Sequence, residues 1–375
     1  MNSVNEVSNT QSTPVNKKRG FWKICGIIIG IIILMIIGLY GFLQFKIKTV
    51  RDIEPFDDPA LKLQSVQVSV GDNAFNDLEE ISELLVYPKD KSQSEKLDNI
   101  LDGKEWDESF VNDLVEKNKS ALDALNKANE KPNFQVPAFA DPSKITYKTI
   151  GGPLGSLRQI VKIKSLQAEL ELRQGKPDEA LDDALKIVGI GQKLEDSQGI
   201  LIAYLVDISV KKTGLTRIDH ILATNRNDLK NLNDFKNKLS KYQNDKEGLK
   251  TAIKVEYIIF SSGVDYVSSG LLKNSEKNSK ISELFNNLFY FQPNKTKKLY
   301  ADWTTTEIAN VDKPCSNIIR TDREDISKLP KWKLIWHENA AGEIMFNSAS
   351  EAREKLQNKR CEMEEMTEKI IQEMQ

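Results

Sequence analysis

The chain has 375 residues, 53 Lys+Arg against 55 Asp+Glu for a net charge of −2, two His and three Cys. Length allows about two or three domains. The near-neutral balance argues against a nucleic-acid binder, which needs a net basic face to displace counterions, and His220 and His337 leave little room for imidazole metal clusters, so no cofactor or metal is expected.

Residues 1–23 are polar, contain Lys17, Lys18, Arg19 and Lys23, and read as a disordered basic tail. Ile24 to Phe45 then give 22 residues without a charge, 17 of them apolar. As a helix this run is about 33 Å long, enough to cross the hydrocarbon core of a bilayer. Trp22, Tyr40 and Phe45 stand where interfacial rings belong. A single transmembrane helix over 24–45 is the expectation, with the lipid bilayer as its partner. A cleaved signal would need small residues after the run, but Phe42, Leu43 and Phe45 are bulky. Lys17-Lys18-Arg19-Gly20-Phe21 resembles a prepilin leader, yet Cys25 stands where that leader has Glu. Four flanking cations before the run against Lys46, Lys48 and Arg51 after it orient the N-terminus to the cytoplasm and the remainder outside.

Residues 46–72 carry Pro55 and Pro59 and read as an extended stalk; the alternation of Val66, Val68 and Val70 suggests one brief strand. From residue 73 the periodicity is helical. Leu78, Ile81, Leu84 and Leu85 begin a helical subdomain over 73–128, and Asp107 caps a helix running to Ala128. Six Pro and Gly residues between 129 and 153 mark a connector. A central bundle over 154–295 opens with a helix from Leu154 to Arg173, turns at Gly175 and Pro177, and continues through two more helices with Leu181, Leu185, Leu201 and Leu205 inside. Further amphipathic helices follow at Leu229–Leu239 and Lys250–Ser269, with an apolar patch at Leu284, Leu288, Phe289 and Phe291. A helix and polar loop fill 296–339, and 340–375 is one long helix whose seam, from Met345 to Ile370, packs on the bundle or pairs with a second copy.

The segment Ala168 to Leu185, with Gly175, Ala180 and Ala184 at a helical hairpin, resembles half of a tetratricopeptide repeat, although Lys164, Gln167 and Ala168 replace the aromatic and Leu-Gly positions and no copy recurs. The layout as a whole resembles that of uncharacterised bacterial single-pass proteins with a helical ectodomain. That resemblance implies a location and no activity.

Catalytic patterns fail on named residues. His337-Glu338 opens like a zinc-protease signature, but Ala341 stands where the second His belongs. Ser209 to Lys212 fits Ser-x-x-Lys and Lys212-Thr213-Gly214 fits Lys-Thr-Gly, but on one stretch instead of two converging elements. Gly189-x-Gly191 lacks a third glycine, and Glu179, Asp182 and Asp183, like Glu362, Glu364 and Glu365, read as solvated helix faces. Cys315 and Cys361 either form a disulfide or remain two free thiols. The expectation is a mainly α protein: one transmembrane helix, an extracytoplasmic helical bundle and at most a minor strand. Its function is read as a non-enzymatic, membrane-anchored protein-interaction or cell-envelope scaffold module. The alternatives are an extracytoplasmic hydrolase with carboxylates on separate helices, and a homo-oligomer assembled through the C-terminal helix.

Overall fold

The computed structural model describes residues 17–49, 52–64, 67–135, 141–145, 154–197, 199–242, 246–275, 291–318, 326–334 and 337–375. The fold is mainly α, and no strand occurs among the described residues. The tail over 1–16, the apolar positions Leu284, Leu288 and Phe289, and most of the connector lie outside them. Of the alternating valines, Val66 lies outside the described residues and Val68 and Val70 belong to no strand; among the described residues the one β-bridge joins Asn73 to Asn133.

Three consecutive helices form the centre: α6 (Leu154–Arg173), α7 (Pro177–Glu195) and α8 (Leu201–Asn225). Gly175 ends α6 with φ 77°, its N–H donating to Leu172 O and the Lys176 N–H to Glu171 O. These paired bonds satisfy the last carbonyls of the helix and reverse the chain, and Pro177 starts α7 where its missing N–H costs nothing. Ala180 is fully buried beneath the turn. Further along, α7 and α8 nearly touch backbone to backbone. A side chain on Gly214 would meet Ala184 O at 2.9 Å, and one on Gly191 would meet the Lys211 side chain at 2.7 Å.

One flank of α6 is covered by α2 (Phe75–Leu84), α3 (Lys91–Leu101), α4 (Glu108–Lys117) and α5 (Lys119–Glu130), which share a core with Leu157, Ile160 and Ile163. The single helix expected from Asp107 to Ala128 is divided at Asn118. Asp107 does cap α4, accepting from the Phe110 N–H at 3.0 Å. The break follows from a distant partner: the Asn118 amide accepts from Val86 N–H and donates to Val86 O, both at 2.8 Å, and also donates to Leu114 O. The fully buried Asn118 side chain completes the hydrogen bonding of Val86 and so holds the helix open at that point.

The other flank carries α9 (Leu232–Ser240), α10 (Lys246–Ser275), α11 (Pro293–Val311), a single turn α12 (Lys331–Leu334) and the long α13 (Ala340–Glu373). Leu356, Met363, Ile370 and Met374 of α13 join the core of α7 and α8, so the C-terminal seam packs on its own chain. Asn339, at φ 58°, links the starts of α11 and α13 by accepting from Gln292 N–H and donating to Thr296 Oγ1. The stalk differs from an extended linker. Asp52 caps α11, accepting from the N–H groups of Asn294 and Lys295 at 2.7 and 2.9 Å, and Leu61 is buried beside an aromatic layer of Tyr257, Tyr300, Trp303 and Phe346.

Before the stalk, α1 (Lys17–Thr49) is one helix of 33 residues. Its large apolar side chains from Ile27 to Phe45 are exposed, Leu34 to 70%. Among the described residues, no stretch is long and apolar enough to cross a membrane; described side chains run unbroken only over 26–42, inside the uncharged run of 24–45.

Replacing Asn118 by Ala removes all three hydrogen bonds of a fully buried amide. Asn118→Ala is expected to destabilise the domain by about 2–4 kcal/mol, measured by the denaturation midpoint of the full chain in detergent. A change within about 0.5 kcal/mol, typical of a surface site, contradicts this role.

Candidate functional site

Charged residues inside the central helices fall into two kinds, and solvent access separates them. In the first, between α7 and α8, Lys211 pairs with Glu195, Tyr204 donates to Glu195 Oε1 at 3.0 Å, and all three are almost fully buried. Asp207, one turn before Lys211, is equally buried, and neither of its carboxylate oxygens has a hydrogen-bond partner. Burial pushes the Asp207 carboxyl well up; Lys211 opposes that shift and Glu195 reinforces it. Two acids around one cation in a dry contact amount to one ion pair and one neutral acid.

A similar contact joins α6 to α7. Lys164 pairs with Asp183 at 2.6 Å, and both side chains are nearly inaccessible. Of the acidic cluster Glu179, Asp182 and Asp183, Asp183 is thus a buried partner and not part of a solvated face. Glu171 lies beside this pair. Burial, with Asp183 adding to it, raises the Glu171 carboxyl to about 7.

The second kind lines a groove of about 810 Å³ between the end of α3 and the outer faces of α6 and α8, a volume within the usual range for ligand sites. At its base Glu169 of α6 accepts from Arg173 Nε at 2.7 Å and pairs with Arg217 of α8, which also donates from Nε to Ser165 Oγ. His220 Nε2 lies 3.4 Å from the same carboxylate. The Arg173 guanidinium sits 4.3 Å from the centre of the Trp106 ring, a cation–π contact that holds it in place. Trp106 comes from the α3–α4 loop, where Gly103, at φ 72°, turns the chain. Asp98, Asp102 and Glu105 give the groove an acidic wall, faced by Lys162, Arg173, Lys212 and Arg217.

The residues singled out in the sequence are distributed elsewhere. Gly175, Pro177 and Ala180 form the α6–α7 turn, and Cys315 and Cys361 are joined in a disulfide with Cα atoms 5.8 Å apart. Buried Arg360 donates to Val311 O at 2.8 Å and lies within 4 Å of both sulfurs. Of the proposed membrane limits, Phe45 is exposed on α1, while the side chain of Ile24 lies outside the described residues. His337 faces Glu343 at 3.9 Å, far from any second imidazole in the chain sequence. Ser209 and Lys212 share one helix and line the groove edge. Among the described residues no group of His, Cys, Asp and Glu could hold a metal ion.

Sequence reasoning missed Trp106, Glu169, Arg173 and Arg217. Glu169 and Arg173 do stand four apart on one helix face, a legible pair; Arg217 is 48 residues away and Trp106 farther still. No known protein family, curated protein or solved structure matches the chain.

Two predictions concern the charges. Lys211→Met leaves Glu195 and Asp207 buried without their cation and is expected to destabilise by about 3–5 kcal/mol, read from chemical denaturation; wild-type stability would show that the pair is dispensable. Glu171 binds its proton more tightly in the folded state than in the unfolded chain, where the value is 4.5. Folding stability should therefore fall as pH rises from about 4.5 through 7. Because the side chain is only partly buried, solvent screening reduces the effect to on the order of 1 kcal/mol. Glu171→Gln should match wild type near pH 4.5 and melt higher at pH 8. A difference that is the same at both pH values contradicts this.

Proposed function

We propose that the chain is a membrane-anchored helical module, with its folded domain on the oxidising side of the membrane, that binds a protein partner and carries out no catalysis itself. The observation that carries this reading is α1. A helix with isoleucines around its whole circumference, at 27–29, 31–33, 36 and 37, carries every one of them at least 45% exposed. Burying each such side chain is worth about 1.5–3 kcal/mol, so lipid is a far better solvent for this helix than water. A contiguous apolar surface of this size on a protein marks a membrane or partner contact.

Two further features support the arrangement. A disulfide between Cys315 and Cys361 persists where the surroundings are oxidising, which fits a domain outside the cytoplasm. The domain's buried acids are occupied in helix contacts: Glu195 and Asp183 are paired with lysines, Asp207 is enclosed, and Glu169 is held by two arginines. A carboxylate hydrolase brings a general acid and a base to opposite sides of its substrate, whereas the groove's buried acid Glu169 is engaged with Arg173 and Arg217 and its accessible acids Asp98, Asp102 and Glu105 stand together on one wall. The groove instead offers a mixed-charge surface with an aromatic side chain, a composition suited to a protein partner. The C-terminal helix, with Met363 and Ile370 inside the domain, favours packing over self-assembly.

Protease added to intact spheroplasts is expected to remove the bulk of the chain and leave a short membrane-embedded fragment. The chain should migrate faster on a non-reducing gel than after reduction, and Cys361→Ser should abolish that difference. Full protection from protease, or recovery of the chain in the soluble fraction, contradicts the proposal.

A further inference from the structure

The groove carries charge in a pattern that specifies its ligand more closely than a general binding surface would. The acidic wall is built on the C-terminal end of α3, where Gly103 N–H donates to Ile100 O and Lys104 N–H to Asn99 O. Asp98 and Asp102 stand on that end and Glu105 just beyond it. The negative end of the helix dipole adds to these carboxylates. The opposite wall presents Lys162 and Arg173 from α6 and Lys212 and Arg217 from α8. Lys162 reaches across to Asp98 at 3.7 Å and Arg173 meets the Trp106 ring; among the described residues no other ion pair joins the two walls.

The two arginines are held in place with donors unused. Arg173 engages Glu169 through Nε, and its plane is fixed over Trp106, so its two terminal nitrogens make no hydrogen bond among the described residues. Arg217 uses Nε on Ser165 and Nη1 on Glu169, leaving Nη2. A guanidinium whose orientation is already fixed binds a carboxylate or phosphate with little further loss of freedom. With Glu169 shared between them, the two arginines keep one net positive charge.

Four cations and four acids line the groove, and that balance discriminates between anions. A polyanion such as a nucleic acid needs a net positive surface, and here it would meet three carboxylates opposite the arginines. A chain carrying both signs meets complementary charge on both walls, and Ser165, Ser209, Thr213 and Thr216 can bond its backbone.

We propose that this groove is a binding site for a peptide segment of mixed charge. A ligand carboxylate is taken by Arg173 and Arg217 beside Trp106, and a lysine or arginine of the same segment by Glu105 and by Asp102, where it replaces Lys104, which lies 2.8 Å from Asp102. This rests on the reading of the chain as a protein-binding module and names the chemistry of its partner.

The test uses the full chain in detergent micelles, immobilised and exposed to a random library of unmodified hexapeptides, with bound peptides sequenced by mass spectrometry. Bound peptides are expected to be enriched in sequences holding both an acid and a Lys or Arg. Arg173→Gln, at a half-exposed position, should cut recovery at least tenfold while leaving the circular dichroism and melting profile unchanged. The double variant Asp102→Asn, Glu105→Gln, at two exposed positions, should still require the acid but lose the preference for Lys and Arg. Equal recovery by wild type and Arg173→Gln would remove the groove assignment and leave the binding-module reading standing. Recovery of no peptide would overturn the groove assignment, and failure of spheroplast pull-downs to recover any protein partner would remove the wider reading as well. A single-stranded oligonucleotide that binds more tightly than the peptides, and is lost in Arg173→Gln, would overturn the mixed-charge assignment in favour of a polyanion.

Discussion

The close approach of α7 and α8 is the constraint on which the rest of the domain depends. Gly191 and Gly214 allow the two backbones to meet with no side chain between them, and Lys211 bridges to Glu195 across the contact. Because a helix rotates about 100° per residue, fixing the face of α8 that carries Asp207, Lys211 and Gly214 fixes every other face. Arg217, a turn beyond Gly214, is thereby directed at Glu169 of α6. Lys212 and Thr216 are left facing the groove, and Asp219 meets Lys369 of α13. A larger residue at 214 would move α8 away from α7 and open all of these contacts together.

Charge inside that contact sets its register more than its strength. A buried ion pair offsets much of its attraction through desolvation, so Lys164–Asp183 and Lys211–Glu195 add little net stability. A one-turn slip of α7 against either neighbour, however, would leave two charged groups buried without partners. The apolar residues around them, Leu181, Leu185, Ile187 and Val188, tolerate such a slip far better. The same reasoning extends to the stalk. Asp52, three residues beyond the end of α1, caps α11, so the segment after α1 is fixed to the domain there and is not a free linker.

How much of this was legible in the sequence depends on the range of each interaction. The α6–α7 hairpin was readable because its determinants lie within a few residues: an apolar repeat every three or four positions, Gly175, then Pro177. The apolar run of α1 was readable for the same reason. The helix α3 was missed because Lys91 to Lys96 are all polar and its buried residues, Leu97 and Ile100, fall in the last turns, leaving no repeat to detect. The division at Asn118 was illegible because its cause, Val86, lies 32 residues earlier. Asp183 looked like its exposed neighbours Glu179 and Asp182 because only the packing of α6 supplies Lys164. The groove was least visible of all: its arginines lie on two helices and Trp106 on a loop, and nothing local marks the three as neighbours.

Asp207 and Glu169 show why residue type alone does not indicate function in this chain. Both are acids on central helices with basic side chains close by, and both are nearly inaccessible. Asp207 is enclosed by α7 and α8, which push its carboxyl well up and leave it no access to solvent through which it could act on a ligand. Glu169 lies at the base of an open groove, and the cations it holds keep donors that reach solvent. A buried acid that orients exposed arginines is part of a recognition surface, because the energy of ordering those long side chains has been met during folding and not at binding. The difference lies in the α3–α4 loop, which meets α6 through Trp106 on Arg173 and leaves an open groove beside that contact, where α7 and α8 leave no space.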